Sequence, residues 1–168
     1  KVAGAVAIPV ATGERLTTKA EFAPVLRSGA ATILQPALGR SGGIWETKKI
    51  AAMAEVYNAQ IAPHLYAGPV EWAANVQLGA SIPNILMAET IETPFHHDLI
   101  KGGLTVEDGY IPVPTAPGLG IDFDEDLARA HPYTGDGLHL QMQEDAIGYA
   151  QVNSFGGGAP VKRDDKDQ

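Results

Sequence analysis

Cysteine is absent from the 168 residues. That excludes disulfide bridges and zinc–thiolate centres. It fits a reducing compartment, and a cytoplasmic location is the expectation. No apolar run reaches the ~20 residues that span a bilayer, and no signal-peptide pattern is visible. A membrane is therefore not an expected partner. Positive charge is scarce: 12 Lys and Arg stand against 20 Asp and Glu, a net charge of −8. No basic stripe interleaved with aromatics occurs, which argues against nucleic acid.

What remains is ordinary globular composition, 45% hydrophobic and 19% charged, with enough apolar material for one core. The 19 Gly and 12 Pro imply many turns. Residue 1 is Lys, and residues 1–7 resemble the tail of a helix leading into a first strand. The expectation is the latter part of a longer protein.

Four apolar runs end on polar or charged side chains. They are Pro9-Val10-Ala11-Thr12-Gly13-Glu14, Ile33-Leu34-Gln35, Ile61-Ala62-Pro63-His64 and Ile85-Leu86-Met87-Ala88-Glu89. The ends recur at roughly 20–30 residues, the length of one βα unit. In a parallel β/α barrel the chemistry sits at the C-terminal strand ends. The four ends are thus candidate site positions.

Helices are expected between them. Thr18-Lys19-Ala20-Glu21 has the form of a capping box. Phe22 and Leu26 share a face after it, and Gly29 is a stop. Pro24 removes an interior hydrogen bond, so this helix should be short or bent. Residues 44–57 place Ile50, Met53, Ala54 and Tyr57 on one face. A third helix begins at Pro69, with Val70, Ala73, Ala74 and Leu78 expected to be buried. Gly39-Arg40-Ser41-Gly42-Gly43 matches no phosphate cradle and reads as a plain βα turn.

After Glu89 the pattern changes. Glu107-Asp108-Gly109, between residues 104–106 and 110–112, signals a hairpin. Residues 124–130 suit one short helix. Residues 151–168, with a Gly-Gly-Gly and a charged run, read as a mobile tail. Four βα strands cannot close an eight-stranded barrel, which takes about 250 residues. The remainder must come from a missing segment or another chain.

Several motifs, in order, resemble a known family. They are Val10-Ala11-Thr12-Gly13-Glu14-Arg15, Leu34-Gln35-Pro36 with Ser41-Gly42-Gly43, Ala62-Pro63-His64, Glu89, and Pro117-Gly118-Leu119-Gly120. Over residues 1–133 they resemble the mandelate racemase branch of the enolase superfamily, above all its acid-sugar dehydratases and cycloisomerases. The resemblance implies an α/β fold: the C-terminal half of a (β/α)7β TIM-like barrel. A C-terminal segment would pack on an absent α+β capping domain. Residues 1–92 would be the half-barrel, 93–150 the returning segment and 151–168 the tail. The N-terminal half, in the same polypeptide or a separate chain, would supply two more metal carboxylates and lysine bases. A homo-oligomer is expected from the family.

The resemblance also assigns roles. Glu14 matches a magnesium ligand, and Mg2+ is the implied cofactor; an oxygen donor suits that hard cation. The plain alternative is a solvated rim glutamate. His64 matches a general acid or base, a role suited to imidazole at physiological pH. Its alternative is a hydrogen-bonded loop histidine beside Pro63. Glu89 matches an acid that, when protonated, hydrogen-bonds the substrate carboxylate or enediolate, a state that burial or a neighbouring carboxylate would favour. Gln35, Tyr66 and Arg40 are candidate substrate-binding residues, Arg40 as a cation for a second carboxylate. His96 and His97 are adjacent, and solvated loop histidines are the better reading.

One departure stands out. The family places an Asp after the strand-six proline, where it partners the histidine. Here the residue is Ala37. Second-layer acceptors of that kind fix tautomer and orientation. Either His64 acts as an acid while an absent lysine is the base, or Gln35 orients it, or the site is degraded. The implied reaction is magnesium-dependent proton abstraction α to the carboxylate of a sugar acid or its lactone, followed by β-elimination. Racemisation or epimerisation is the rival, disfavoured by Ala37. A non-catalytic barrel subunit is the rival from another class.

Overall fold

A computed structural model describes residues 1–91, 93–102 and 104–132. The tail expected at 151–168 and the later part of the segment expected at 93–150 lie outside the described residues.

The first three apolar runs form short parallel strands, β1 (Ala11–Thr12), β2 (Ile33–Leu34) and β3 (Gln60–Ile61). They lie side by side in chain order, with Thr12 opposite Leu34 and Leu34 opposite Ile61. The fourth run joins them by a parallel bridge, Ile61 to Ile85. Its backbone brackets Ile61, accepting at Asn84 O (2.9 Å) and donating from Leu86 N (2.8 Å). The ladder continues past the strands: Gln35 N–H donates to Thr12 O (2.9 Å) and His64 N–H to Pro36 O (3.1 Å). Because all four runs point the same way, their C-terminal ends share one edge.

Helix α1 (Lys19–Arg27) starts as its sequence dictates. The Thr18 hydroxyl accepts from Glu21 N–H, and Glu21 Oε2 accepts from Thr18 N–H at 2.9 Å. Glu21 also accepts from Thr17 N–H (2.7 Å), the largest of several bonds that hold its carboxyl below the usual range. Pro24 is accommodated within this nine-residue helix. At the other end Gly29 turns left-handed, φ 61°. Gly29 N–H bonds Leu26 O and Ala30 N–H bonds Val25 O, closing a Schellman motif.

The stretch 39–43 is not a plain turn. It contains a short helix, α2 (Leu38–Ser41), joined through left-handed Gly42 to α3 (Gly43–Glu55). Three polar contacts hold this corner. Glu71 accepts from Gly39 N–H (2.9 Å), and the buried Ser41 and Thr47 hydroxyls lie 2.8 Å apart. Ser41 also donates to Ala37 O (2.9 Å), so burial of these hydroxyls leaves none unpaired. Helix α3 ends at Glu55 because Asn58 adopts a left-handed φ of 52° and turns the chain into β3. Tyr57 therefore lies past the helix and is exposed, while Thr47 and Ala51 join Ile50 and Ala54 on the buried face.

Helix α4 (Pro69–Ala80) opens with proline at its first turn and buries Ala73 and Leu78, as expected, but its buried face also takes in Trp72 and Val76 and leaves out Val70. Val70 is exposed; Trp72, Ala73, Val76 and Leu78 are buried. Leu78 joins Phe22, Leu34, Ile50 and Ile61 in a core between helices and sheet. Trp72, Ala73 and Val76 pack with Leu65, Ile100 and Leu104 in a second cluster. A helix covered on two sides has no single apolar stripe to predict. Each fully buried Leu, Ile or Phe contributes about 1.5–3 kcal/mol.

Residues 1–7 form only turns and bends, not the expected helix tail. Val2 and Val6 are exposed, so no packing holds a helix there. Downstream, α5 (Pro94–Leu99) leads into β4 (Ile100–Lys101), which pairs antiparallel with β5 (Asp122–Phe123). His96 and His97 thus lie on a helix rather than a loop. His96 Nδ1 lies 3.0 Å from Ile91 O, and the His97 ring meets Trp72 edge-on at 6.3 Å. The hairpin turn is present as a Glu107–Tyr110 bridge, with positive φ at Asp108 and Gly109. Asp124 caps α6 (Glu125–Ala130), accepting from Leu127 N–H (2.9 Å), and pairs with Lys101 (3.1 Å). No helix among the described residues is long and apolar enough to cross a membrane.

Candidate active site

The end of β1 is set by Gly13. Its φ is 134°, and a Cβ there would stand 2.7 Å from Phe22 Cε1 and 3.0 Å from Gln35 N. Glycine therefore lets the chain pass tightly over α1 and β2 and turn Glu14 outward. The Glu14 side chain is 56% exposed.

His64 follows β3 by three residues. Its backbone pairs with Ala37 in a parallel bridge, so the missing aspartate position lies directly beside it. Its ring is largely covered, 17% exposed. Nδ1 lies 3.0 Å from Glu89 Oε2, and Nε2 lies 3.8 Å from Glu14 Oε2. Glu89 Oε2 also accepts from Leu65 N–H at 2.6 Å. The imidazole is thus flanked by two carboxylates, one on each ring nitrogen.

Three of the six expected site residues, Glu14, His64 and Glu89, are brought together at one sheet edge. Gln35 joins through its backbone, next to Gly13. Tyr66 is half exposed, two residues beyond His64. Arg40 is an exposed residue of α2. Among the described residues none of these three side chains bonds the trio. The Leu65 N–H was invisible in sequence because a backbone donor carries no residue signature. An open cleft of about 640 Å³, lined by Ile44, Val70, Leu99 and Phe123 among others, includes none of the trio. It is separate from this chemistry.

Among the described residues no three His, Asp or Glu side chains converge to hold a metal ion. The donor set still fits magnesium in part. Glu14 presents an outward carboxylate, the hard oxygen such an ion prefers. It would serve as one ligand, and no complete ligand set lies among the described residues.

Known proteins share the sequence pattern and fold of this chain. The Enolase C-terminal domain-like family matches residues 1–127. A D-galactonate dehydratase of Ralstonia pickettii (strain 12J) is 40% identical over 129 residues, 71% of this chain and 34% of that protein. A D-xylonate dehydratase of Haloferax volcanii is 34% identical over 132 residues, 77% of this chain and 32% of that protein. The chain spans about a third of the length of these curated relatives. A mandelate racemase/muconate lactonizing enzyme-like protein from Roseovarius sp. TM1035 superposes with a TM-score of 0.81 and 79% identity, covering 86% of this chain and 37% of that one. A mandelate racemase/muconate lactonizing enzyme from Sulfitobacter sp. gives 0.81 and 81%, covering 86% and 36%. The chain belongs to the Enolase C-terminal domain-like family, in its mandelate racemase branch.

Proposed function

We propose that this chain carries part of the active site of a magnesium-dependent acid-sugar dehydratase acting on an aldonate such as D-galactonate or D-xylonate. The observation that carries the reading is the placement of His64 between Glu14 and Glu89 at the common strand edge. The named activities of the related dehydratases supply the substrate class.

In this reading residues 1–92 are the second half of a (β/α)7β barrel, and 93–150 are the segment that returns to a capping domain. The first half and cap come from outside this chain. Magnesium, held through Glu14 and donors from that other half, would neutralise charge building on the substrate carboxylate. The substrate binds with its carboxylate toward Glu14 and its reacting carbons toward His64 Nε2. That nitrogen moves the proton, taking it from the carbon α to the carboxylate or giving it to the departing β-hydroxyl. Elimination of water leaves an enol, which becomes a keto-deoxy acid when the β-carbon takes a proton. The contact of Glu89 with the ring removes the main objection raised by Ala37, since His64 does have an acceptor. It also speaks against a non-catalytic subunit.

The test is product analysis. The intact protein with magnesium and D-galactonate or D-xylonate should yield a 2-keto-3-deoxy acid. If neither these nor other aldonates are dehydrated, the reading is wrong.

A further inference from the structure

We infer that Glu89 is the positioning residue of His64, replacing from the next strand end the acceptor that Ala37 cannot supply. This inference rests on the proposed role of His64 as the proton-transfer group. Ala37 is fixed beside His64 by the ladder, through the bridge between them and the His64 N–H to Pro36 O bond. Its methyl group offers no acceptor.

Glu89 reaches the same ring from 25 residues away in sequence. Its carboxylate is itself held: Leu65 N–H donates to the same Oε2 that contacts Nδ1. A backbone donor is fixed by the fold, so Oε2 is a preset acceptor rather than a wandering surface group. A carboxylate oxygen accepting at Nδ1 requires the hydrogen there and leaves Nε2 bare. Nε2 then faces Glu14 and the mouth at 3.8 Å. Among the described residues Glu89 is the acceptor recorded at Nδ1, so without it nothing holds the proton there and it is free to move to Nε2. That would remove the lone pair from the side where substrate binds. The assignment differs from a direct role on the substrate carboxylate or enediolate, whose loss would slow turnover or raise KM without moving the ring proton.

The test uses the intact protein labelled with 15N-histidine, observed by NMR at a pH where the ring is neutral. Wild-type His64 should carry its proton on Nδ1. Glu89→Ala should move it to Nε2, and the double variant Glu89→Ala with Ala37→Asp should return it to Nδ1. Dehydration kcat should fall roughly 10- to 100-fold in Glu89→Ala with little change in KM, as for other groups that orient a reacting residue, and recover in part in the double variant. A wild-type ring protonated on Nε2 overturns the inference, whether or not any variant folds. So does an unchanged tautomer in Glu89→Ala, or a loss expressed in KM alone. A wild-type Nδ1–H with no turnover of any aldonate would leave the positioning assignment standing and overturn the proposed substrate.

Discussion

Gly13 and Glu14 are adjacent, yet one is fixed by sterics and the other by chemistry. A side chain at Gly13 meets a left-side φ of 134° and the Phe22 ring at once. Gly13→Ala should therefore destabilise the fold by more than ~1 kcal/mol, seen as a lower unfolding midpoint. It should also weaken magnesium binding by moving Glu14. Glu14→Gln should leave the midpoint nearly unchanged, because the side chain is exposed. In that variant magnesium affinity, measured by calorimetry on the intact protein, should drop by at least ~10-fold, given that even groups behind the ligands are worth about 10- to 100-fold. Unchanged affinity would remove Glu14 from the ligand set. At this scale the sequence is informative about which residue types carry chemistry and blind to how they pair. Glu14, His64 and Glu89 were each visible as a reactive group closing an apolar run. The contact between His64 and Glu89 was not, because the family pattern assigns the imidazole a different partner and Glu89 a different task.

Helix α1 is the element whose signals agreed best with its structure. Its capping box and its glycine stop are local hydrogen-bonding devices, complete within a few residues, and so legible. Thr18→Ala should cost about 1 kcal/mol, or about 2–4 °C in Tm for a chain of this size. The same box imposes a pH dependence. The Thr17 N–H, followed by further Thr17 and Thr18 contacts, holds the Glu21 carboxyl below its ordinary value. A lowered acid contributes stability that is complete above the usual carboxylate range, about pH 4.3, and is lost as pH falls through the lowered value. Glu21→Gln should flatten that part of the Tm profile in acid; an unaltered profile would show the box to be energetically idle. The α2–α3 corner and α4 were less legible for the opposite reason. Their conformation depends on distant partners: Glu71 reaching Gly39, and a C-terminal segment covering Trp72 and Val76. Neighbours that far along the chain leave no periodic trace.

The whole molecule is ordered by direction. Parallel strands in chain order bring every strand end to one edge, so a pattern spread along 76 positions from Glu14 to Glu89 collapses into a single site. That much followed from the repeated run-and-helix pattern. The parallel sheet has β1 at its edge, with both residues exposed, which is the form of a strand that takes a further partner. In the proposed barrel the remaining strands would pair there. In the proposed mechanism His64 moves a proton between an aldonate and solvent. The direct measurement is dehydration by the intact protein in D2O with magnesium, comparing wild type with His64→Ala by mass spectrometry and NMR of the product. The product should be a keto-deoxy acid carrying deuterium at the carbon that lost its hydroxyl. The rate should be lowered about 10²- to 10⁴-fold in His64→Ala, the usual worth of a positioned acid or base. Turnover by His64→Ala at the wild-type rate would rule out His64 as the proton-transfer group.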